Sequence, residues 1–363
     1  PEEICKWMCH KAYGKESPGP TDKPLMRSSS VAYWKKSISC FMGTMQKWND
    51  TSRTGNATQS KKVNDLIKAM RRQETRGIGQ ESHADRAFTV EEYSQVLDLV
   101  DDQRLQAMMN LQFHMIGRMD DAAHVVKENL KQSTEFDEFL TCKMRWSKNV
   151  KTEGDCPEQI LVGSLDSKTC VYLSLSLWLE RWIQFGDGAF SQWLFCEGKT
   201  TTRSPIKEQD KEATNCKNKY ANAIRRIVSS DSFIRYKLDG KLGSHSIRKL
   251  ATSWSRRIGT PRDDIDYRAR WKSKKNEMQE RYTDMQLTWP DVQAATNLCM
   301  QGPIKYKMKE GAGITDEWLA ANMTPNITSM FGVGVGSILA KPLLWACYDA
   351  EWCIHVQADI RHR

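Results

Sequence analysis

Apolar positions recur at helical spacing along much of the chain. In KKVNDLIKAMRR, Val63, Leu66, Ile67 and Met70 share one stripe and lysines and arginines fill the remainder, which predicts an amphipathic helix with a basic outer side. Thr89 followed three residues later by Glu92 forms a capping box, and Val96, Leu97, Leu99 and Val100 supply the apolar stripe behind it, so a second helical segment opens there. Further helices are expected over about 101–117, 122–130, 175–184 and 220–228. Shorter runs at 139–150, 158–162 and 169–173, separated by Gly and Asp turns, predict strands. RQETRGIGQESHADRA, between these first two helical blocks, has Gly, Ser and charge without an apolar period and reads as a linker. The pattern predicts a mainly α protein with a small antiparallel β-sheet, an α+β arrangement without a solenoid repeat.

Composition narrows the class. With 363 residues, 39% hydrophobic and 27% charged, the chain can bury a sizeable core and is not wholly disordered. The longest apolar stretch, Met330 to Cys347, is interrupted by Lys341 and Pro342, so no membrane span is expected. The opening Pro-Glu-Glu is neither an initiator methionine nor a signal peptide and suggests a piece of a longer protein. The 11 cysteines, an odd number, fit no disulfide framework and are read as reduced thiols. Cys5, Cys9 and His10 lack a second ligand pair at zinc spacing and are read as helix-face residues. The four Asn-x-Thr sequons, at Asn49, Asn56, Asn322 and Asn326, would matter only in a secreted chain.

Charge is unevenly placed. Residues 1–87 hold 16 basic and 9 acidic side chains, 88–217 hold 15 and 21, 218–282 hold 17 and 7, and 283–363 hold 6 and 8. Two basic blocks thus flank an acidic middle, which suits a protein that grips a polyanion such as a phosphate backbone from two sides. Lys61, Lys62, Lys68, Arg71 and Arg72 in the first block, and Arg225, Arg226 and Lys241 near the second, are the candidate phosphate-positioning residues.

The chemistry concentrates in Gly243-Ser-His-Ser-Ile-Arg-Lys-Leu. Here His245 and Arg248 stand one helical turn apart; Trp271 follows 23 residues after Arg248, and Tyr282 11 residues after that. Upstream, Arg118 precedes Asp121 by three residues, and Lys148 sits on the predicted hairpin in Arg-Trp-Ser-Lys-Asn-Val. In this order the residues resemble the catalytic pattern of the tyrosine recombinases, phage-integrase-like DNA strand transferases: Arg, Lys, His-x-x-Arg, His or Trp, and Tyr. The resemblance covers roughly 88–285. Trp at 271 and the KNV and CP motifs around Lys148 and Cys156 look most like the recombinases of Crypton DNA transposons.

The resemblance implies a helical core-binding domain over 1–87, a catalytic domain over 88–285, and a carboxy-terminal extension over 286–363. It further implies cutting and rejoining of double-stranded DNA at transposon ends and target through a covalent 3′-phosphotyrosine, by a homotetramer, in the nucleus, without metal or other cofactor. Arg118 and Arg248 would hold the two non-bridging phosphate oxygens with their guanidinium forks, and the Trp271 indole N–H would brace the phosphate. His245 would bond the phosphate or take the tyrosine proton, Tyr282 would be the nucleophile, and Lys148 would protonate the departing 5′ oxygen. Asp121 would be a supporting residue. Lys143, Lys151 and Lys168 lie on or near the same predicted hairpin, and strand register decides which lysine serves.

Two other functions use the same residues: a host-domesticated DNA-binding protein that no longer cuts, and a type IB topoisomerase-like enzyme. The apolar Ile338-Leu339 and Leu343-Leu344-Trp345 after the tyrosine are expected either to contact a neighbouring protomer or to complete the chain's own core.

Overall fold

The computed structural model describes residues 1–19, 21–80, 85–146, 150–185, 191–198, 200–201, 203–237, 240–271, 288–308, 313–348 and 353–357. The chain divides into two compact units, Pro1–Ala84 and Asp85–Arg363.

The first unit packs α1 (Glu2–Tyr13), α2 (Ser28–Cys40) and α3 (Lys61–Thr75) around Met8, Ala12, Val31, Val63, Ile67 and Met70. The stripe on α3 is therefore its buried face. Ser60 caps that helix by accepting the Val63 N–H at 3.3 Å. Glu74, near the far end of α3, accepts the Ser28 N–H at 2.5 Å and the Ser28 hydroxyl at 2.9 Å. Its carboxylate thus closes the positive amino terminus of α2.

The second unit opens with α4 (Val90–Leu99), whose capping box forms as expected: Glu92 N–H donates to Thr89 Oγ1, and Thr89 N–H donates to the Glu92 carboxylate. It continues through α5 (Gln103–His114) and α6 (Met119–Ala123) to a three-stranded antiparallel sheet of β1 (Leu130–Gln132), β2 (Leu140–Cys142) and β3 (Gln159–Leu161). Next come β4 (Gly163–Ser164), α7 (Val171–Phe185), α8 (Ile206–Val228), α9 (Ser244–Arg257), α10 (Arg262–Arg268) and α11 (Thr288–Leu298). The remaining elements are β5 (Pro303–Met308), α12 (Asp316–Asn322), α13 (Pro325–Phe331), α14 (Val333–Tyr348) and β6 (Cys353–Gln357), with β4, β5 and β6 forming a second antiparallel sheet. The protein is thus mainly α with small antiparallel sheets, and no described helix is long and apolar enough to cross a membrane.

Four expected elements differ. The strand over 139–150 stops at Cys142, the end of β2, and residues 143–146 lie outside any strand. The helix over 122–130 is replaced by the short α6 and by β1, because Val126 pairs with Trp193 and Val125 O accepts the Leu194 N–H at 2.6 Å, drawing this segment into tertiary hydrogen bonds. The strand over 169–173 is instead the entry to α7, where Tyr172 is buried and its hydroxyl serves both Leu140 N–H and Leu161 O. α8 also begins 14 residues earlier than the expected 220, at Ile206.

Residues after 288 are built into the second unit. Val292 and Ala295 of α11 pack with Phe139, Ile160 and Val162, and Ile338, Leu339 and Leu343 of α14 join the main core. Glu180 of α7 accepts the Asn326 and Ile327 N–H groups at the start of α13, at 3.1 and 3.0 Å. Ser176 on the same helix donates to Leu339 O at 2.6 Å.

Candidate active site

α5 ends in a sharp turn that sets the first arginine. Ile116 takes a left-handed φ of 45°, Gly117 N–H returns to Gln112 O at 2.8 Å, and a Cβ on Gly117 would crowd Met144 Sδ at 3.0 Å. Arg118 is then the extended residue before α6, and its backbone N–H donates to Asp121 Oδ2 at 2.9 Å. This bond ties Arg118 to Asp121, three residues on, and explains their spacing.

α9 carries the second arginine. Its start is held by Gln112 Nε2, which donates to Ser244 O at 3.0 Å, and by Ser246 Oγ, which accepts the Gly243 N–H at 3.0 Å. His245 is exposed on the first turn and Arg248 is buried one turn later. Arg248 Nη2 donates to Ala269 O at 2.8 Å, while its Nη1, also buried, has no hydrogen-bond partner and lies 3.7 Å from Asp121 Oδ2.

A third arginine, not singled out from the sequence, completes the cluster. Arg270 follows α10 with φ 55°, an uncommon backbone for a side-chain-bearing residue. It is held there by hydrogen bonds from Nη1 to Gln159 Oε1 at 2.5 Å and to Arg268 O at 2.9 Å, and its Nη2 lies 3.5 Å from Asp121 Oδ2. The same turn delivers Trp271, whose N–H donates to Asp266 O at 2.8 Å and whose ring lies 5.2 Å from the Arg248 guanidinium carbon. Trp271 remains 37% exposed, so one side of the arginine–indole pair faces solvent.

Among the described residues the cluster has more cation than anion. Asp121 is 1% exposed, its Oδ1 has no hydrogen-bond partner, and Arg248 and Arg270 both lie within 4 Å of its other oxygen. Burial, reinforced by the nearby charges of Arg270 and Arg118, lowers the Arg248 guanidinium to about 9 despite Asp121. An oxyanion placed here would relieve that repulsion and accept the open N–H group of Arg248.

Neighbouring buried groups are structural. Arg268, fully buried, donates to His114 O, Asp291 Oδ1 and Ile160 O at 2.7–2.8 Å. His114 Nε2 accepts the Val162 N–H at 3.0 Å, and burial with the adjacent Arg268 pushes its pKa well below 6.5, keeping the ring neutral. These bonds brace α5, α10, α11 and β3, the frame beneath the arginines.

The structure therefore brings together Arg118, Asp121, Arg248 and Trp271, with His245 one helical turn from Arg248. Lys148 and Tyr282 lie outside the described residues. Among the expected phosphate contacts, Lys61, Lys62, Lys68, Arg71 and Arg72 are exposed on α3. Lys62 pairs with Glu2 at 3.2 Å and Lys68 with Asp65 at 3.3 Å. Arg225 and Arg226 are exposed on α8, where the first donates to Asn222 and the second pairs with Asp101 at 3.4 Å; Lys241 is exposed before α9. No group of three or more His, Cys, Asp or Glu residues suited to a metal ion occurs among the described residues.

No family model matches the chain, and no curated protein matches it. Among solved structures, it is similar to one described as "FLP Recombinase-Holliday Junction Complex I", with 13% identity over 89% of this chain and 80% of that one, at a TM-score of 0.42.

Proposed function

We propose that this protein is a site-specific DNA recombinase that cuts and rejoins duplex DNA through a 3′-phosphotyrosine on Tyr282. The observation that carries this reading is the buried pair Arg248 and Arg270 beside the Asp121 carboxylate, with half-buried Arg118 bonded to that carboxylate through its backbone N–H and near enough for its charge to lower the Arg248 pKa. A phosphodiester carries its charge on two non-bridging oxygens, and planar forks that stay protonated suit both. Arg248 Nη1 has a bond to offer, and the Trp271 indole N–H, a donor only, braces the same group.

In the proposed step the Tyr282 oxygen attacks phosphorus while His245 takes its proton. The bond from phosphorus to the 5′ oxygen breaks, and that oxygen takes a proton from Lys148. Charge accumulating on the phosphoryl oxygens in the transition state falls against fixed guanidinium groups in a water-poor cluster, where such stabilisation is large. Asp121 and Arg270 position Arg248 rather than touch DNA. Rejoining is the reverse step with a new 5′ hydroxyl. The basic residues on both units supply phosphate contacts outside the site, and the protein acts as a homotetramer on transposon ends and target DNA in the nucleus, as a Crypton-type recombinase.

The test is strand cleavage on a nicked duplex carrying candidate element ends, with Arg118→Ala and Arg248→Ala. Each substitution should lower cleavage by about 10²-fold or more, the scale for losing one oxyanion donor, while DNA binding persists. Cleavage unchanged in both variants would show that the cluster does not hold the scissile phosphate.

A further inference from the structure

The first unit carries a basic cavity that is separate from the outward lysines of α3. Lys35, Lys36, Ser39, Lys47, Thr58, Gln59 and Asn64 line a recess of about 320 Å³ between α2 and the segment leading to α3. Among the described residues, three lysines and no carboxylate line it. Among the described residues neither Lys35, Lys36, Lys47 nor Arg71 belongs to an ion pair, whereas Lys62 and Lys68 on α3 each face an acid. Lys35 is half-buried with its ammonium on Asn64 Oδ1 at 2.5 Å, so it is fixed in place rather than sweeping through solvent. Burial, then the charges of Arg71 and Lys36, lower its pKa: three cations repel one another here without an acid to offset them.

The segment that carries Thr58 is anchored to α2. Asn56 is fully buried, accepts the Thr58 N–H at 3.1 Å and donates to Ser39 Oγ at 2.8 Å, locking the loop onto α2. The loop that joins Ser39 to Lys47 carries exposed apolar side chains, Phe41 at 89% and Met45 at 75%, and its Met45 carbonyl accepts Gln59 Nε2 at 3.3 Å. A concave cationic seat with apolar side chains beside it suits a sugar-phosphate backbone, whose phosphate would sit among the lysines while deoxyribose meets Phe41 and Met45.

We infer that this recess is the principal phosphate seat of the first unit, with Lys36 and Lys47 gripping one backbone segment of duplex DNA and Lys35 and Arg71 completing the field. The inference rests on the proposed DNA-directed function and assigns the grip of this unit to α2 and its following loop.

The experiment measures binding of the full chain to a labelled duplex across salt concentrations, for the wild type, Lys36→Gln/Lys47→Gln and the control Lys6→Gln/Lys15→Gln, two exposed lysines of the same unit that pair with Glu3 and Asp22. Each phosphate contact contributes about 0.9 to the slope of log affinity against log salt, so losing two should flatten the slope by roughly 2. Raising salt from about 50 to about 200 mM should then weaken the wild type about tenfold more than the recess variant. The control should stay near the wild type. Acylation of lysines with and without DNA gives a second readout on the unmutated chain, with Lys36 and Lys47 protected by duplex. A recess variant with wild-type affinity and slope, or unprotected lysines in the complex, would overturn the assignment even if the chain cleaves DNA. Absence of both binding and cleavage in the wild type would instead remove the functional reading beneath it.

Discussion

Replacing Asp121 with Asn isolates the electrostatic core of the site. The change keeps an oxygen that can accept the Arg118 N–H but removes the one negative charge that the described residues place among these arginines. At 3.5 and 3.7 Å from Arg270 and Arg248, the carboxylate attracts each by about 4–5 kcal/mol at an effective dielectric of roughly 20. Much of that attraction offsets the cost of burying the charges, and removing one partner of a buried pair typically costs about 3–5 kcal/mol. Asp121→Asn should therefore lose about 3–5 kcal/mol in urea unfolding. Sulfate should return more stability to the variant than to the wild type, because a bound anion replaces the missing charge. A loss below about 1 kcal/mol, on the scale of an exposed pair, would refute the claim that this carboxylate holds the arginines together. Equal sulfate responses in the two proteins would refute the view that the cluster is an anion site.

Three further outcomes follow from the same geometry. Arg270→Lys cannot serve Gln159, Arg268 O and Asp121 together, so the cleavage rate should fall about 10²-fold, as for a misplaced reacting group, with DNA affinity nearly unchanged; parallel losses in both would contradict a positioning role. Glu92, fully buried, accepts two hydrogen bonds from Arg86 at 2.6 Å and one from Tyr236 N–H at 3.0 Å; burial raises its pKa, but these partners outweigh burial and lower it. Its contribution is thus present above the usual carboxylate range and lost as pH falls through the lowered value. Glu92→Gln should cost about 3–5 kcal/mol at neutral pH and less in acid, and an unfolding series over pH checks both. His114, kept neutral by burial and Arg268, takes a proton when unfolded near pH 6.5 and resists it when folded, so stability should fall as pH drops below about 6.5. An unchanged acid limb in His114→Gln would contradict that assignment.

The sequence made the helices legible where local and tertiary preferences agree. Ser60 and Thr89 cap α3 and α4, and the stripes behind them are buried. It misled where tertiary pairing prevailed: Val125 and Val126 leave a helical pattern to meet Leu194 and Trp193, while Thr169 to Leu173, rich in residues that favour strands, runs into α7. At the site, Arg118, Asp121, Arg248 and Trp271 could be named because their order resembles a known catalytic pattern, and the structure holds them near one another on α6, α9 and the turn after α10. Arg270 could not. In Arg268-Ala-Arg-Trp271 it looks like any surface charge, and only its left-handed backbone and full burial distinguish it from a solvated residue. The recess on α2 was hidden for a related reason: Lys35, Lys36 and Lys47 come together only when the loop folds back on Asn56.

The most direct test of the account is covalent trapping on a nicked suicide duplex, followed by denaturing electrophoresis, with Tyr282→Phe alongside. The account predicts a protein-linked strand in the wild type that disappears in the variant, with the phosphate mapped to Tyr282 by peptide mass. A linked strand that survives in Tyr282→Phe, or cleavage with no linked strand at all, would contradict it.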